Sequence, residues 1–273
     1  MKTLIKKIVG KRGSQVVRRM LRLRHAKYLR AGRCNVCGKP TVFVGIRAFT
    51  LTQKKERNDL ACARCGAIAR NRAMAAAILD LYGGGAKSLR QLRKSAAFAR
   101  LSMYNAGSVG ALHDALAGLP GYVCSEYFPG VPAGSFRDGT RCEDLQALSF
   151  ADATFDLALS EDVMEHVRRP KTALQEVRRV LKPGGYCVFT VPIYGAETVV
   201  RVDTTTDVDV DLLPRLYHSD ALRKDGVLAY HDFGRDIVEL CASQGFEARL
   251  VEYEARKDDW ACADVVVAKK VAG

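Results

Sequence analysis

Four of the nine cysteines stand in two pairs, each with two residues between the thiols and a glycine after the second one. The pairs are Cys34 with Cys37 and Cys62 with Cys65. Two thiolates at this spacing can turn back onto one ion, and the glycine relieves the tight turn. Two such knuckles supply four ligands, so we predict a closed, structural zinc site. Four ordinary reduced cysteines and an iron–sulfur cluster are the alternatives.

A second candidate site begins at the glycine-containing turn from Asn105 through Gly107 to Gly110, which precedes a helical pattern. Glycines let a ligand approach the backbone, and a helix N-terminus offers free N–H groups to a carboxylate. Glu126 ends the next predicted strand, at the distance of about 20 residues where a carboxylate can accept both hydroxyls of a ribose. The spacing predicts a nucleoside site, and a solvated glutamate at a strand end is the alternative.

Four polar side chains are candidates for moving a proton. Asp162 and His166 follow the fourth predicted strand, and His218 and His231 stand in the long segment 193–231, each close to an aspartate. Long connections often carry substrate contacts, and an imidazole titrates near neutral pH. A supporting role for His166 with its neighbour Glu165, and a structural role for each other histidine, are the alternatives.

The elements that must position these residues alternate between strand and helix from about residue 99 onward, which predicts a parallel sheet covered on both faces. The predicted strands are Leu101–Asn105, Tyr122–Tyr127, Phe155–Ser160, Tyr186–Val191, Ala248–Tyr253 and Cys262–Ala268, with residues 142–145 as the end of a further strand. The predicted helices are Arg70–Leu81, residues 86–98, Val109–Leu119, Asp162–Val167, Thr172–Leu181 and Asp232–Gly245. Between the knuckles, Thr41–Gly45 and Phe49–Thr52 are candidates for a β-hairpin.

Basic residues are concentrated near the N-terminus. Residues 1–55 hold 16 of the 43 Lys and Arg and no acid, while the whole chain has a net charge of +13. Residues 1–30 place apolar side chains at helical spacing, which predicts a basic amphipathic helix. This helix either packs on the protein body or lies on an anionic membrane surface, and residues 1–55 could equally meet nucleic acid.

The expected compartment follows from hydropathy and cysteine use. No apolar run approaches the length of about 18 residues that a membrane span needs. Lys6 and Lys7 interrupt the apolar start of the chain, so a continuous signal-peptide core is absent. An odd number of cysteines with paired spacing favours a reducing environment. We expect a cytoplasmic protein, with peripheral association at the inner membrane surface as the alternative.

One stretch of the chain resembles a known family. The run FDLALSEDVMEHV, residues 155–167, followed by ALQEVRRVLKPGGYCVFTVP, residues 173–192, resembles the class I SAM-dependent methyltransferases of the type 11-like branch. The resemblance implies an α/β fold with a doubly wound, Rossmann-like seven-stranded sheet. The knuckles, with Arg70-Asn71-Arg72 behind them, resemble a bacterial subgroup that fuses a small zinc-ribbon-like module to this domain.

The resemblance also implies S-adenosyl-L-methionine (SAM) as cofactor. The family's glycine loop usually reads acid-x-Gly-x-Gly, where this chain has Asn105 for the acid and Val109 for a glycine. The implied cofactor contacts are Asn105, Gly107 and Gly110 at the loop, Glu126 at the ribose, Asp144 and Leu145 at the adenine, and Ser160 and Glu161 at the methionine end, with Asp162 close to the methyl group.

The predicted organisation is therefore a basic helix over 1–30, a zinc-knuckle module with linker helices over 31–98, and a SAM-dependent methyltransferase domain over 99–273. The chain lacks an Asn-Pro-Pro-Tyr signature of the kind that points to amide or base-nitrogen methylation. We predict O-methylation of a small molecule or of a glycan or lipid-linked saccharide. An RNA or DNA methyltransferase that uses the basic arm and zinc module, and a catalytically inactive binding protein, are the alternatives. The acceptor and the oligomeric state stay open.

Overall fold

The structure is a computed structural model that describes residues 28–45, 60–220, 222–253 and 263–271. The predicted N-terminal helix lies outside these residues except for positions 28–30, which belong to a strand rather than a helix. They form ladder hydrogen bonds with residues 43–45, and this pairing overrides the helical spacing. The predicted strand Phe49–Thr52 also lies outside the described residues.

The cysteine pairs stand on a small antiparallel sheet of three strands. Its strands, in spatial order, are β1 (Tyr28–Arg33), β2 (Pro40–Gly45) and β3 (Leu60–Cys62). The first knuckle directly follows β1, and the second begins at Cys62, the last residue of β3. The middle strand matches the predicted Thr41–Gly45, and it pairs on both sides. The sheet thus brings the two knuckles together at one of its ends.

A mixed six-stranded sheet forms the body of the protein. Its strands are β4 (Met103–Asn105), β5 (Tyr122–Cys124), β8 (Phe155–Glu161), β9 (Leu181–Thr190), β16 (Phe246–Tyr253) and β17 (Ala263–Lys270), and they lie in the order β16-β17-β9-β8-β4-β5. The pairs among β4, β5, β8 and β9 are parallel, whereas β17 is antiparallel to both neighbours. Because β4 lies between β5 and β8, the strand order reverses there, and the crevice at such a point is where α/β sheets bind ligands.

The predicted further strand at 142–145 is reduced to one parallel bridge between Cys142 and Glu126, beside the edge strand β5. A two-residue ladder, β6 (Phe136–Arg137) with β7 (Thr140–Arg141), precedes the bridge, and the chain turns back at Asp144. The main sheet therefore has six strands among the described residues, and the seventh stays a prediction.

Helices cover both faces of the sheet. They are α1 (Ala69–Tyr82), α2 (Leu89–Leu92), α3 (Ala96–Ala99), α4 (Ala111–Leu116), α5 (Pro170–Val180) and α6 (Ile237–Ser243), with a 3-10 turn over Met164–His166. Two buried apolar clusters result, one under α1, α2 and α4 and the other under α5 and α6. In α5 the buried side chains recur at helical spacing, and Pro170 at the first turn needs no donor.

Four predicted helices differ from the observed ones for local reasons. Residues 86–98 form two short helices, because the Ser88 side chain caps the first of them and the helix ends within one turn. The helix predicted from Val109 starts later, after Gly110 with φ +110°. The helix predicted from Asp162 is only a 3-10 turn, because Asp162 itself has φ +51°. The helix predicted from Asp232 starts at Ile237, since Asp232 belongs to a strand.

The long connection after β9 is organised by short antiparallel ladders. They pair β10 (Val199–Val200) with β15 (His231–Asp232), β11 (Val202–Asp203) with β12 (Val210–Asp211), and β13 (Tyr217–His218) with β14 (Val227–Leu228). Tyr230 anchors the connection by donating its backbone N–H to the carbonyl of Glu165. None of the helices within the described ranges has the length and hydropathy required to cross a bilayer.

Candidate functional site

The four knuckle cysteines converge on one point. The sulfur of Cys34 lies 3.8 Å from that of Cys65, and the sulfur of Cys37 lies 4.0 Å from that of Cys62. All four sulfurs lie within 4.8 Å of one another. Sulfurs bound at about 2.3 Å to a tetrahedral zinc ion stand about 3.8 Å apart. The four thiols therefore fit one zinc ion without rearrangement of the backbone.

The two knuckles share one backbone conformation. Gly38 donates its N–H to the carbonyl of Cys34, and Gly66 does the same to Cys62, each at 2.8 Å. Both glycines have a positive φ, +72° and +77°, a region that side chains disfavour. The glycine after each pair is thus required by the turn that brings its two thiols together.

The helix that follows the second knuckle reaches the carboxyl end of β8. Asn71 accepts a hydrogen bond at 2.8 Å from the N–H of Ile68, and its Nδ2 donates to Oε1 of Glu161 at 2.6 Å. Arg70 donates to Oδ2 of Asp162 at 2.8 Å. Sequence reasoning missed both contacts, although a polar triplet at the start of an otherwise apolar helix was the available signal.

The glycine turn and Glu126 face each other across one site. Oε1 of Glu126 accepts hydrogen bonds from the N–H of Ser108 at 2.7 Å and from its hydroxyl at 2.8 Å. Nδ2 of Asn105 donates to the carbonyl of Gly107 at 2.7 Å, which fixes the turn. A Cβ placed on Gly110 would meet no atom within 4 Å among the described residues. Open space therefore lies over the turn, beside the carboxylate.

Tyr122 is a further member of this site that sequence reasoning missed. Its hydroxyl accepts a hydrogen bond from Asn105 at 2.9 Å and lies 3.0 Å from Nδ1 of His113. Burial raises the pKa of Tyr122 above its usual range, so the phenol stays neutral. The aromatic side chain on β5 thus holds the amide at the end of β4.

Asp144 and Leu145 directly follow Glu143, which contacts Glu126. The N–H of Glu143 donates to the carbonyl of Glu126 at 3.0 Å. Leu145 is buried, while Asp144 accepts a hydrogen bond at 2.9 Å from the N–H of Gln146 in a local turn. The single bridge between Cys142 and Glu126, which stands in place of the predicted further strand, brings the segment with Asp144 and Leu145 beside the edge strand β5.

Two acidic side chains with different hydrogen-bond partners, Glu161 and Asp162, lie at the end of β8. Ser160 is buried. Loss of water around Glu161 raises the pKa of its carboxyl, while the hydrogen bond from Asn71 opposes the shift. Asp162 accepts hydrogen bonds at both oxygens, from the Thr190 hydroxyl and from Arg70, each at 2.8 Å. Neighbouring side chains from α1 and β9 therefore engage both oxygens of Asp162.

His166 and His218 meet on the buried carboxylate of Glu165. Nε2 of His166 lies 3.7 Å from Oε1 of Glu165, and Nδ1 of His218 lies 3.8 Å from the same atom. The two rings are in edge contact, with centroids 5.0 Å apart. Burial raises the pKa of Glu165. The proximity of His218 could not be read from its position in the sequence.

His231 lies on β15, whose preceding residue Tyr230 donates its backbone N–H to the carbonyl of Glu165. It is buried and stacks on Phe233, with ring centroids 5.5 Å apart. Burial lowers the pKa of His231 to about 4, so the ring is neutral at physiological pH. His231 lines a cavity of about 490 Å³. Among the residues that the structure describes, Asp162, His166 and His218 do not line this cavity.

Comparison with known proteins gives a partial match to one family. Residues 129–189 match the family model described as a methyltransferase domain. The chain is 31% identical over 108 residues to an uncharacterized 37.1 kDa protein in transposon TN4556 from Streptomyces fradiae, which covers 40% of this chain and 29% of that protein. It is 39% identical over 66 residues to the ubiquinone biosynthesis O-methyltransferase of Cereibacter sphaeroides, which covers 20% of this chain and 27% of that enzyme. The aligned regions thus span less than a third of either relative.

Solved structures of similar shape carry related names. An S-adenosylmethionine-dependent methyltransferase from Mesorhizobium loti is 18% identical, with a TM-score of 0.40, over 62% of this chain and 91% of that one. The 1,6-didemethyltoxoflavin-N1-methyltransferase of Burkholderia thailandensis is 14% identical, with a TM-score of 0.41, over 85% and 96%. Scores this low carry no weight for fold or function. The domain match and the named curated relative are the findings that support a SAM-dependent methyltransferase.

Proposed function

We propose that this protein is a SAM-dependent methyltransferase that binds its cofactor at the carboxyl ends of β4, β5 and β8. The observation that carries the proposal is the contact of Glu126 with Ser108, which holds a carboxylate directly over the glycine turn. The contact lies where the strand order reverses, beside the matched methyltransferase segment. A carboxylate and a glycine turn at one crevice are what a nucleoside ligand needs.

Each residue of the site has a proposed part in holding the cofactor. Glu126 would exchange its hydrogen bonds with Ser108 for the ribose hydroxyls. The open face at Gly110 would admit the ligand close to the backbone. The remaining proposed contacts are Asn105 and Gly107 at the turn, Asp144 and Leu145 at the adenine, and Ser160 and Glu161 at the methionine end. When bound, SAM supplies a methyl group on a sulfonium, which is an activated electrophile.

We also propose that Cys34, Cys37, Cys62 and Cys65 hold a structural zinc ion. The sulfur spacing of 3.8 and 4.0 Å fits tetrahedral zinc, and four thiolates leave no position for a substrate. Because Arg70 and Asn71 follow the second knuckle directly, a formed knuckle would hold them against Asp162 and Glu161. The ion would thus support one wall of the cofactor site.

The acceptor is proposed to be a hydroxyl of a small molecule or of a glycan or lipid-linked saccharide. Transfer to oxygen requires removal of a proton, which nitrogen acceptors often do not need. His166 and His218 converge on Glu165 just beyond the end of β8, and both remain partly open to solvent. His231 is buried against Phe233, and burial lowers its pKa, so we assign it a structural part.

Calorimetry with S-adenosylhomocysteine tests the cofactor site. Glu126→Ala should weaken binding at least tenfold, some ~1.4 kcal/mol, because the ribose would lose its acceptor. Glu247→Ala, which removes an exposed carboxylate on β16, is the matched control and should bind as the wild type does. Absence of binding by zinc-loaded wild-type protein, or equal affinity in the Glu126 variant, would contradict the proposal.

A further inference from the structure

Glu165 presents a buried carboxylate that no hydrogen bond satisfies. Both of its oxygens are inaccessible to solvent and without a hydrogen-bond partner among the residues the structure describes. The nearest ring nitrogens, on His166 and His218, lie 3.7 and 3.8 Å from Oε1. These distances exceed the range of a hydrogen bond. A buried carboxylate without a partner is costly, so a positive group should sit between these atoms.

The tautomer of His166 indicates what that group is. Its Nδ1 lies 2.8 Å from the carbonyl oxygen of Leu228, which can only accept, so Nδ1 carries the proton. Nε2 of a neutral ring then has a lone pair, and this lone pair faces the Glu165 oxygen. Two acceptors that face each other repel unless a proton or a metal cation lies between them, and 3.7 Å is too long for a hydrogen bond through a shared proton. Histidines that bind metal ions commonly donate their other N–H to a backbone carbonyl in this way.

We propose that Oε1 of Glu165, Nε2 of His166 and Nδ1 of His218 bind one divalent first-row cation. The three ligand atoms lie within 4.8 Å of one another. Ligands bound at about 2.1 Å stand about 3.0 to 3.4 Å apart in octahedral or tetrahedral sites. The two spacings to Oε1 are 3.7 and 3.8 Å, so the side chains must rotate inward to bind one ion. Two imidazoles and one carboxylate suit Mn²⁺, Fe²⁺ or Zn²⁺ and leave coordination positions open.

The open positions face outward. Glu165 is 1% exposed, whereas the side chains of His166 and His218 are 14% and 23% exposed. An oxygen ligand can therefore reach the ion from the side of the two histidines. His218 lies on the ladder of β13 with β14. The backbone carbonyl of Leu228, on the same ladder, accepts the hydrogen bond from Nδ1 of His166. The long connection after β9 thus supplies one ligand and orients another.

A cation here would define the acceptor class, and this step rests on the proposed function. An acceptor hydroxyl bound in an open position would have a lowered pKa and would release its proton to solvent water. The oxygen lone pair would then form the bond to the methyl carbon, while the carbon–sulfur electrons return to sulfur and leave a neutral thioether. The site therefore favours a hydroxylated acceptor, and one with two adjacent oxygens would chelate the ion.

Titration with Mn²⁺, followed by electron paramagnetic resonance of the free ion, tests the inference on the 273-residue chain loaded with one zinc ion per chain, so that no excess Zn²⁺ competes for the histidines. Mn²⁺ is the probe because it prefers oxygen and nitrogen ligands and does not compete for thiolates. Wild-type protein should bind one Mn²⁺ per chain. Glu165→Gln and His218→Ala should each weaken binding at least about tenfold. His218 lies on the surface connection, so its variant remains informative if the buried Glu165 variant fails to fold.

Asp207→Asn is the matched control, because it removes a carboxylate from the acidic part of the same connection. The Asp207 side chain is fully exposed and forms an ion pair with Arg169, away from the two histidines. It should bind Mn²⁺ as tightly as the wild type does. Absence of saturable binding, or weakening in the Asp207 variant but not in the His218 variant, would overturn the cation site. Binding of S-adenosylhomocysteine to the same samples separates the two proposals, since it reports on the cofactor site alone.

Discussion

The contact between Asn71 and Glu161 is one of two side-chain contacts that join the helix after the second knuckle to the end of β8, beside the proposed cofactor site. Asn71→Ala removes the amide that donates to Glu161 at 2.6 Å. The same substitution removes the acceptor for the N–H of Ile68, which caps α1. Glu161→Ala removes the other partner. A double-mutant cycle on the two positions therefore isolates their pairwise term, because the cap is lost equally in the single and the double variant that carry Asn71→Ala.

The expected coupling follows from the environment of the pair. A hydrogen bond to a charged group contributes about 1.5–3 kcal/mol when buried. Asn71 is 7% exposed, but Glu161 is partly exposed, so solvent screening reduces this contribution. We expect a coupling of about 1–2 kcal/mol. Loss of the cap should add about 1 kcal/mol of destabilisation to Asn71→Ala alone.

Urea unfolding of the four zinc-loaded proteins gives the cycle, and unchanged slopes would show that the unfolded states are alike. Asp80→Ala provides the control pair with Asn71→Ala. Asp80 accepts a hydrogen bond from Tyr253 at 2.7 Å, so it also joins α1 to the sheet, but at the exposed, opposite end of the helix. Asn71→Ala and Asp80→Ala should be additive. A coupling between Asn71 and Glu161 below about 0.5 kcal/mol would refute the contact.

Three further expectations are open to direct measurement. Metal analysis of chelator-free, reduced protein should find about one tightly held zinc per chain. The Cys62→Ser variant should lose this zinc and bind S-adenosylhomocysteine more weakly. Full zinc content in the variant would contradict the zinc site. The pKa of His231 is about 4 in the folded state, against an ordinary value of 6.5. Between these two pH values the unfolded state binds more protons than the folded state does. The contribution of His231 to the free energy of unfolding should therefore rise with pH from about 4 to 6.5 and be constant above that window. His231→Phe should flatten that rise in urea unfolding measured from pH 4 to 7, and an unchanged slope would remove His231 as its cause. Gly110→Ala should cost about 1–3 kcal/mol of stability, because φ +110° with ψ 176° is a backbone region that is essentially restricted to glycine. Its Cβ would meet no described atom, so the backbone alone causes this loss. Unaltered thermal unfolding would mean that the turn can adopt another conformation.

The parts of the fold that periodicity specifies were predicted well. Helix α5 and strand β8 were placed within a few residues, because their apolar side chains recur at fixed spacing and a glycine pair follows the helix. The knuckles and the pairing of Glu126 with the glycine turn also came from local spacing. The short ladders of the connection after β9 were not predicted, since their two-residue strands have no periodicity to detect.

Contacts between distant segments could not be predicted in the same way. The sequence placed Glu165 beside His166, but only the fold brings His218 to the same carboxylate. Asp162 was a candidate base by position, yet Thr190 and Arg70 engage both of its oxygens. Each of these outcomes depends on which strand, helix or connection meets the end of β8, and a single sequence carries no signal for such a meeting.

The packing of α1 argues that the cysteine module and the sheet act as one unit. The helix starts at Ala69, just after the second knuckle, and its buried face joins the same apolar cluster as residues of β8, β9 and β17. At its start, Arg70 and Asn71 bind the acids at the end of β8. A helix held at both places cannot shift without disturbing the acids at the end of β8, which lie at the proposed cofactor site. Loss of zinc should therefore reduce cofactor affinity before it unfolds the sheet, and chelator titrations that follow both signals would reveal the order.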